Sequence, residues 1–369
     1  MSSQHHQWMA KALELARRGL YTTDPNPRVG CVLVKDGQLV GQGYHHRYGE
    51  PHAERMALAD AGDKAKGATA YVTLEPCCHT GKTPPCSDGL IEADVTEVVV
   101  AMTDPNPLVA GKGISQLREA GINVVENVLT SDAQAINPGF IKRMAEQKPY
   151  VRLKLGMSLD ARTAMASGES QWITGDAARR DVQRLRARSS CVLTGISTAF
   201  ADDPSLNVRL TEQELDLAES PVRQPRPVIL DTHARLPLDA KVLELGNSPI
   251  VIVAEGASTD AVAALKDKGA SVYMVGQMNN RVDLNAMLSV LASEQVNEVL
   301  VEAGPTLSGA FVQQQLVDEL VIYMAPSLLG DQARGLMSLP GLDVLADREQ
   351  WQWRDVRKVG NDLRLTLTR

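Results

Sequence analysis

The chain alternates between short apolar runs and longer stretches in which apolar residues return every three or four positions. Over 6–19, Trp8, Met9, Ala12, Leu15 and Ala16 keep helical spacing and Gly19 supplies a stop. After the stiff loop Thr22-Thr23-Asp24-Pro25-Asn26-Pro27, the run 29–34 reads as a strand, and Lys35-Asp36-Gly37-Gln38 predicts a hairpin into a second strand over 39–43. Ala53–Ala61 predicts a helix with Pro51 at its first position and Gly62 at its end. A strand over 69–74, a helix opening at Cys86-Ser87-Asp88 and a strand over 97–102 follow. Next come the loop Asp104-Pro105-Asn106-Pro107, a helix over 113–120, a strand over 122–125 and one helix over 131–144. This order predicts an α/β sandwich, and Gln147-Lys148-Pro149 reads as a linker.

The pattern then restarts. A strand over 150–155 carries Lys154 between leucines, where a lysine is costly unless it is paired, exposed or functional. The long polar loop that follows has the character of a binding loop. Thr174 is expected to cap a helix reaching about residue 187, and most of Arg179, Arg180, Arg184, Arg186 and Arg188 along it read as a solvated basic face. Strands over 191–194, 228–231, Ile250–Ala254, 272–275 and 299–304, with helices between them, predict a largely parallel sheet covered on both faces. Residues 364–368 alternate with leucine and predict a half-exposed edge strand at the C-terminus. At 369 residues the chain accommodates two domains, placed at 1–147 and 148–369.

Composition narrows the function. The hydrophobic fraction of 44% and charged fraction of 22% are those of a globular protein that can build cores. A formal charge of −7 gives no footprint for nucleic acid or an anionic membrane, so the expected partner is a small molecule. The first residues lack the basic and apolar regions of a signal peptide, no stretch approaches a membrane span, and a cytoplasmic enzyme is expected. The 5 cysteines are odd in number and three of them, Cys77, Cys78 and Cys86, share one loop, which fits metal binding better than a disulfide framework.

The chemistry concentrates between residues 52 and 86. A catalytic zinc takes three protein ligands and keeps its fourth position for water. His52, Cys77 and Cys86 fill that quota, and Glu54, two residues from His52 and pointing elsewhere, is left for proton transfer. The zinc-deaminase signature is H-x-E followed by P-C-x-x-C. Here the first half matches and the second is a longer Cys-to-Cys loop, which leaves the second ligand among Cys77, Cys78 and His79; Cys77 follows the proline as in the signature. Were Cys78 or His79 also a ligand, the zinc would be structural. Zinc lowers the pKa of bound water from about 15.7 to about 7, enough for attack on an aromatic C–NH2 carbon with ammonia leaving. Asn26, between two prolines, can donate and accept at once, as a pyrimidine edge requires, although Asn is also a common turn residue. In the second half no G-x-G-x-x-G follows a strand. Glu302-Ala303-Gly304-Pro305-Thr306-Leu307 does place a helix start after a buried strand, which serves a phosphate or an ordinary turn equally well.

The run Pro25-Asn26-Pro27-Arg28-Val29-Gly30, the triplet His52-Ala53-Glu54 and the stretch from Glu75-Pro76-Cys77 to Pro85-Cys86 resemble the deaminase half of the bifunctional riboflavin-biosynthesis deaminase/reductases, whose own Cys-to-Cys loop is long. Lys154-Leu155-Gly156-Met157-Ser158-Leu159-Asp160, Gly168-Glu169-Ser170-Gln171-Trp172-Ile173, Ala201-Asp202-Asp203-Pro204-Ser205-Leu206 and the 302–307 run are similar to the reductase half, so the match spans the chain in family order. The resemblance implies a cytidine-deaminase-like α/β/α sandwich followed by a dihydrofolate-reductase-like α/β domain. It implies deamination of a phosphoribosylated diaminopyrimidinone, then reduction of the ribosyl group to ribityl by NADPH. It places Asn26 on the pyrimidine, with His45, His79, Lys82 and Asn106 near the base or phosphoribosyl arm. NADPH contacts are implied at Gly156, Trp172, Thr198, Asp202 and Thr232, and at the turn Gly304, Pro305, Thr306, Leu307, Ser308, Gly309 and Ala310. Substrate contacts are implied at Ser170, Arg186, Leu206, Arg209 and Glu302. Arg186 and Arg209 suit phosphate because a guanidinium fork binds it bidentately. Lys154 or Glu302 manages the reductase proton, and family members imply a homo-oligomer through the second half.

Three other readings compete. One is a zinc nucleoside or tRNA deaminase with a passive second half, which the acidic balance disfavours for RNA. A scaffold with structural zinc would have no use for an unliganded Glu54, and an enzyme with only the reductase active is told apart by NADPH uptake.

Overall fold

A computed structural model of the chain describes residues 3–79, 84–107, 109–217, 221–244 and 246–369. It forms two compact units, 1–147 and 148–369.

The first unit runs α1 (Ser3–Arg17), β1 (Gly30–Lys35), β2 (Gln38–Tyr44), α2 (Ala53–Ala61), β3 (Thr69–Val72), α3 (Cys86–Glu92), β4 (Glu97–Val100), α4 (Lys112–Glu119), β5 (Asn123–Val125), α5 (Thr130–Ile136) and α6 (Pro138–Glu146). Its sheet has the order β2-β1-β3-β4-β5, with β1 antiparallel to β2 and β3, and β3, β4 and β5 mutually parallel. The hairpin closes through Asp36 and Gly37 with φ of 51° and 75°, the two left-handed residues a tight twisted turn needs. Met9, Ala12, Leu13 and Ala16 of α1 join Cys31, Val32 and Leu33 of β1 and Ala53 and Ala57 of α2 in one core. Two expectations are corrected. The helix after Pro51 begins at Ala53 with His52 as its N-cap, so Pro51 lies outside it. The single helix over 131–144 is two helices, because Pro138 starts α6 and Asn137 between them leaves helical geometry. Asn137 instead accepts from Arg28 N (2.8 Å) and donates to Arg28 O (2.9 Å), tying the helices to the loop before β1.

The second unit begins with β6 (Tyr150–Ser158), β7 (Arg162–Ala164), α7 (Asp176–Arg188), β8 (Cys191–Gly195), α8 (Ile196–Asp202), β9 (Arg226–Leu230), α9 (Lys241–Glu244), β10 (Ile250–Ala254), α10 (Thr259–Asp267) and β11 (Ser271–Val275). It continues with β12 (Gln277–Met278), β13 (Arg281–Val282), α11 (Leu284–Ser293), β14 (Glu298–Val301), α12 (Pro305–Gln313), β15 (Glu319–Ala325), β16 (Arg334–Gly335), β17 (Gln352–Val359) and β18 (Asp362–Thr368). The main sheet has nine strands in the order β11-β10-β9-β8-β14-β6-β15-β18-β17, parallel through β15 and antiparallel over the last two. Successive residues of β10 enter different cores, Ile250 and Ile252 on one face and Val251 and Val253 on the other, as a doubly covered sheet requires.

Here too the structure amends the sequence reading. The C-terminal strand β18 lies between β15 and β17, and the edge belongs to β17, where Trp353 is 65% exposed. Gly175, not Thr174, is the N-cap of α7. The arginines of α7 are mostly engaged rather than solvated: Arg179, Arg180, Arg186 and Arg188 all pair with carboxylates. Arg152 of β6 is buried against Glu298 of β14 and Glu319 of β15, an ion cluster that fixes three adjacent strands in register and that strand patterning did not reveal.

Candidate active sites

In the first unit, β3 delivers Cys77 through the loop that follows it, α3 begins with Cys86, and His52 caps α2. His52 Nδ1 lies 3.6 Å from Cys77 Sγ and 3.4 Å from Cys86 Sγ, and the three ligand atoms fall within 4.8 Å of one another. Sulfur and nitrogen on a tetrahedral zinc stand roughly 3.6 Å apart, so the donor set and its spacing fit that ion. Cys86 N and Ser87 N donate to Cys77 O at 3.0 and 3.2 Å, holding the two thiols together. The hydrogen bond from Cys86, with His52 adding to it, brings the Cys77 thiol down to about 4 against the effect of burial, whereas the same bond drives Cys86 upward. Glu54 is 3% exposed; burial first, and the charge of Cys77 second, push it up to about 7.

Asn26 and His45 adjoin this cluster. The His45 ring stands edge-on to His52 with centroids 5.2 Å apart. Its Nδ1 is 3.2 Å from Pro51 O and its Nε2 is 3.0 Å from Asn26 Nδ2. A carbonyl only accepts, so Nδ1 carries the proton and Nε2 accepts from the Asn26 amide. Burial brings His45 down to about 4 and keeps it neutral. The amide oxygen of Asn26 is therefore the face left for a ligand. His79 is exposed two residues beyond Cys77, and Lys82 lies outside the described residues. Asn106 sits in a loop whose flanking Asp104 and Gly111 amides are both held by Glu75. Glu75 was not recognised as a site residue; a carboxylate at the end of an apolar strand, next to the Pro-Cys pair, was the available signal.

In the second unit, β14 enters the sheet between β8 and β6, while the chain leaving β8 continues away through β9 to β11. Such a reversal opens a crevice at the carboxyl ends of the strands. A cavity of about 400 Å³ lies there, lined by Thr198, Asp202, Arg186, Leu206, Arg209 and Glu302 among the expected residues, and by Gln171, Asn207 and Lys241, which the sequence did not single out. Glu302, directly after β14, receives Arg186 Nε at 2.6 Å and Nη2 at 3.1 Å, with Lys154 Nζ 3.2 Å away. Arg186 Nη1 donates to Asn207 O (3.0 Å), so the fork expected to meet phosphate is closed on protein groups. Burial alone would raise the carboxyl of Glu302; Arg186 and then Lys154 overcome it and hold it at about 2.

The remaining expected contacts are dispersed. Gly156 lies on β6 opposite Tyr323, and Ser170 is exposed in the loop before α7. Trp172 is 68% exposed with the Arg179 guanidinium 4.4 Å from its ring centroid. Thr232, after β9, accepts from Ala254 N (3.1 Å). Gly304 caps α12 without a side-chain hydrogen bond, Pro305 opens the helix, and Gly304 and Thr306 are exposed while Leu307 and Ala310 are half-buried. Ser308 is buried and bonds Ala303 O (3.1 Å), and Gly309 packs on the Ser338 backbone, so these two face inward.

A half-buried His/Cys/Cys cluster beside a buried carboxylate, in one unit, and a crevice at a parallel-sheet reversal, in the other, define a metal-site deaminase joined to a reductase-type domain. Comparisons with known proteins agree. Residues 2–102 match the cytidine and deoxycytidylate deaminase zinc-binding region, and residues 149–365 match the RibD C-terminal domain. The riboflavin biosynthesis protein RibD of Escherichia coli is 51% identical, with 99% of each chain covered, and that of Haemophilus influenzae is 51% identical over 100% of this chain and 98% of its own. The structure of Acinetobacter baumannii RibD superposes with a TM-score of 0.90 at 48% identity, covering 99% of this chain and 98% of that one. A Thermotoga maritima structure described as a diaminohydroxyphosphoribosylaminopyrimidine deaminase/5-amino-6-(5-phosphoribosylamino)uracil reductase gives 0.83 at 32% identity, with 99% and 98% covered. The chain belongs to the RibD family of riboflavin biosynthesis proteins. It is bifunctional, with one half of the deaminase type and one of the reductase type. Among the described residues no helix is long and apolar enough to cross a membrane.

Proposed function

We propose that the first unit (1–147) is a zinc-dependent deaminase acting on 2,5-diamino-6-(5-phosphoribosylamino)pyrimidin-4(3H)-one, and that the second (148–369) reduces the ribosyl group of its product to ribityl phosphate with NADPH. The observation that carries the first half is the His52, Cys77, Cys86 donor set beside the buried carboxylate of Glu54. Zinc bound there supplies the Lewis acidity that makes water a nucleophile at neutral pH. Asn26, oriented by His45, presents its amide oxygen to a ring N–H or amino group. Glu54, poised near neutrality, takes a proton from water and gives it to the ring nitrogen, then carries the proton of the added hydroxyl to the amine, so that the carbonyl forms, the C–N bond breaks and ammonia leaves. His79, Lys82 and Asn106 serve the phosphoribosyl arm.

In the second unit NADPH supplies a hydride to ribose C1′, which opens the sugar. The cavity beside Glu302 is the substrate site, with Leu206 at its wall, Ser170 next in the chain to its lining residue Gln171, and Arg209, for which no ion pair is seen among the described residues, offered to the phosphate. Gly156, Trp172, Thr198, Asp202 and Thr232 and the open part of the turn from Gly304 serve the cofactor, whose phosphates can use the uncapped first-turn N–H groups of α12. Glu302 stays ionised between two cations and positions them, which leaves Lys154 as the group able to give a proton. The exposed edge β17, with Trp353 and Val356 open to solvent, supports a homo-oligomer through this unit, and the free cysteines suit a cytoplasmic enzyme.

The test is to supply zinc-loaded protein with the phosphoribosylated diaminopyrimidinone and NADPH, measuring ammonia, NADPH oxidation and product mass. One ammonia per substrate, then one NADPH per ammonia and a product heavier by two hydrogens, is expected. If the deaminated compound supplied directly consumes no NADPH, the second unit is a binding module and this reading of it is wrong.

A further inference from the structure

Glu75 lies two residues before the metal-ligand position Cys77 and is 3% exposed. A carboxylate buried to that degree needs its lone pairs filled. It accepts four backbone N–H groups: Asp104 N at 3.0 Å and Gly111 N at 2.9 Å on Oε2, and Gly113 N at 2.9 Å and Ile114 N at 3.2 Å on Oε1. The last two belong to the first turn of α4, whose own N-cap, Gly111, has no side chain to offer. Glu75 therefore caps α4 from a distant strand end, where a negative charge also complements the helix dipole. One oxygen holds both ends of the loop that carries Asn106.

Two further contacts tie this frame to the metal site. A Cβ on Gly113 would stand 2.0 Å from Pro76 O, so α4 touches the backbone one residue from Cys77 and only glycine fits. Ser87 Oγ, beside Cys86, lies 2.8 Å from Gln116 Oε1 of α4 and 3.1 Å from Cys77 O.

We infer that Glu75 is a positioning residue that locks the metal-ligand loop and the Asn106 loop into one rigid frame through the first turn of α4. It touches neither metal nor substrate. Its loss frees both loops at once, so metal affinity and substrate KM change together. The inference rests on the proposed deaminase reading only for the KM arm.

The test uses the full chain with Glu75→Gln, which keeps volume but turns an NH2 toward two N–H donors, and Glu75→Asp, which keeps charge but shortens reach. Three quantities are read: zinc affinity by chelator competition, the visible spectrum of the cobalt-substituted protein, and kcat and KM for ammonia release. NADPH oxidation on the deaminated compound reports intact folding of the other unit. Glu75→Gln is expected to weaken zinc binding about 10- to 100-fold, the range for groups that orient metal ligands, to change the cobalt spectrum, and to raise KM more than it lowers kcat. Glu75→Asp shifts each in the same direction by less, and stands in if the Gln variant does not fold. Zinc affinity, spectrum and KM all within twofold of the parent would overturn the inference, as would a loss of melting temperature with those three unchanged. Should the parent release no ammonia, the functional reading fails while the zinc and cobalt arms still decide the role of Glu75.

Discussion

Glu54 and Glu302 are both buried carboxylates at the heart of a site, yet they end in opposite states. Burial is the largest influence on each and pushes both upward. Glu54 meets the charge of Cys77, which outweighs the attraction of nearby His52, and rises to about 7. Glu302 meets Arg186 and Lys154 and falls to about 2. Partners, not depth, decide whether a buried acid is a proton shuttle or a fixed anchor. In the first unit burial and Cys77 outweigh His52 at the carboxylate; in the second, two cations outweigh burial.

The largest expected effect separates the two sites. Glu54→Gln should lower ammonia release by about 10²- to 10⁴-fold, the worth of a general acid–base. NADPH oxidation on the deaminated compound should stay within twofold of the parent, and stopped assays for the two products check this. Glu302→Ala leaves Arg186 and Lys154 facing each other without a counter-charge and should destabilise the second unit by about 3 kcal/mol, read from denaturant unfolding.

The stability contributed by the two kinds of carboxyl should also depend on pH with opposite sign. Burial raises Asp104 as well as Glu54 to about 7, from ordinary values of 3.8 and 4.5. Between those values and pH 7 the folded state holds protons the unfolded state has lost, so stability falls as pH rises. Cys77 and His45, both lowered to about 4, contribute in the opposite sense, so the carboxyl contribution is isolated by a variant: from pH 5 to pH 8 the melting temperature of metal-free Asp104→Asn should fall less, or rise more, than that of the metal-free parent. Glu302, lowered from 4.5 to about 2, contributes stability above pH 4.5 that is lost as pH falls toward 2, so over the same range its contribution to the second unit is level. Calorimetry of chelator-treated protein at the two pH values distinguishes the units. The smallest effect is at Trp172: the Arg179 contact is exposed and worth about 0.5–1 kcal/mol, so Trp172→Ala should barely change melting while raising the KM for NADPH.

The same contrast explains what could be read from the chain alone. His52, Glu54, Cys77 and Cys86 fall within a short stretch, and their residue types at that spacing carry one chemistry. The second site draws on residues from β6, α7, the loop before β9 and the end of β14, which only the sheet order brings together. Lys154 was legible as an anomaly, a lysine between leucines, but its partner Glu302 and their competitor Arg186 were not. Alternation in β18 correctly reports one buried face and says nothing about which edges are paired. Its true outer neighbour β17, rich in charge and without alternation, gave no strand signal. Glu75 and Arg152 escaped for a related reason: a charged residue in or just after an apolar run declares a buried partner without naming it.

The central claim is that one chain holds two independent sites used in sequence. Single turnovers of the parent, Glu54→Gln and Lys154→Met, each zinc-loaded and given either the starting pyrimidine or the deaminated compound with NADPH, test it most directly. Glu54→Gln should release ammonia at least about 100-fold more slowly than the parent yet oxidise NADPH on the deaminated compound, and Lys154→Met should release ammonia at the parent rate without oxidising NADPH. Loss of both reactions from either single lesion in a folded protein would contradict the account.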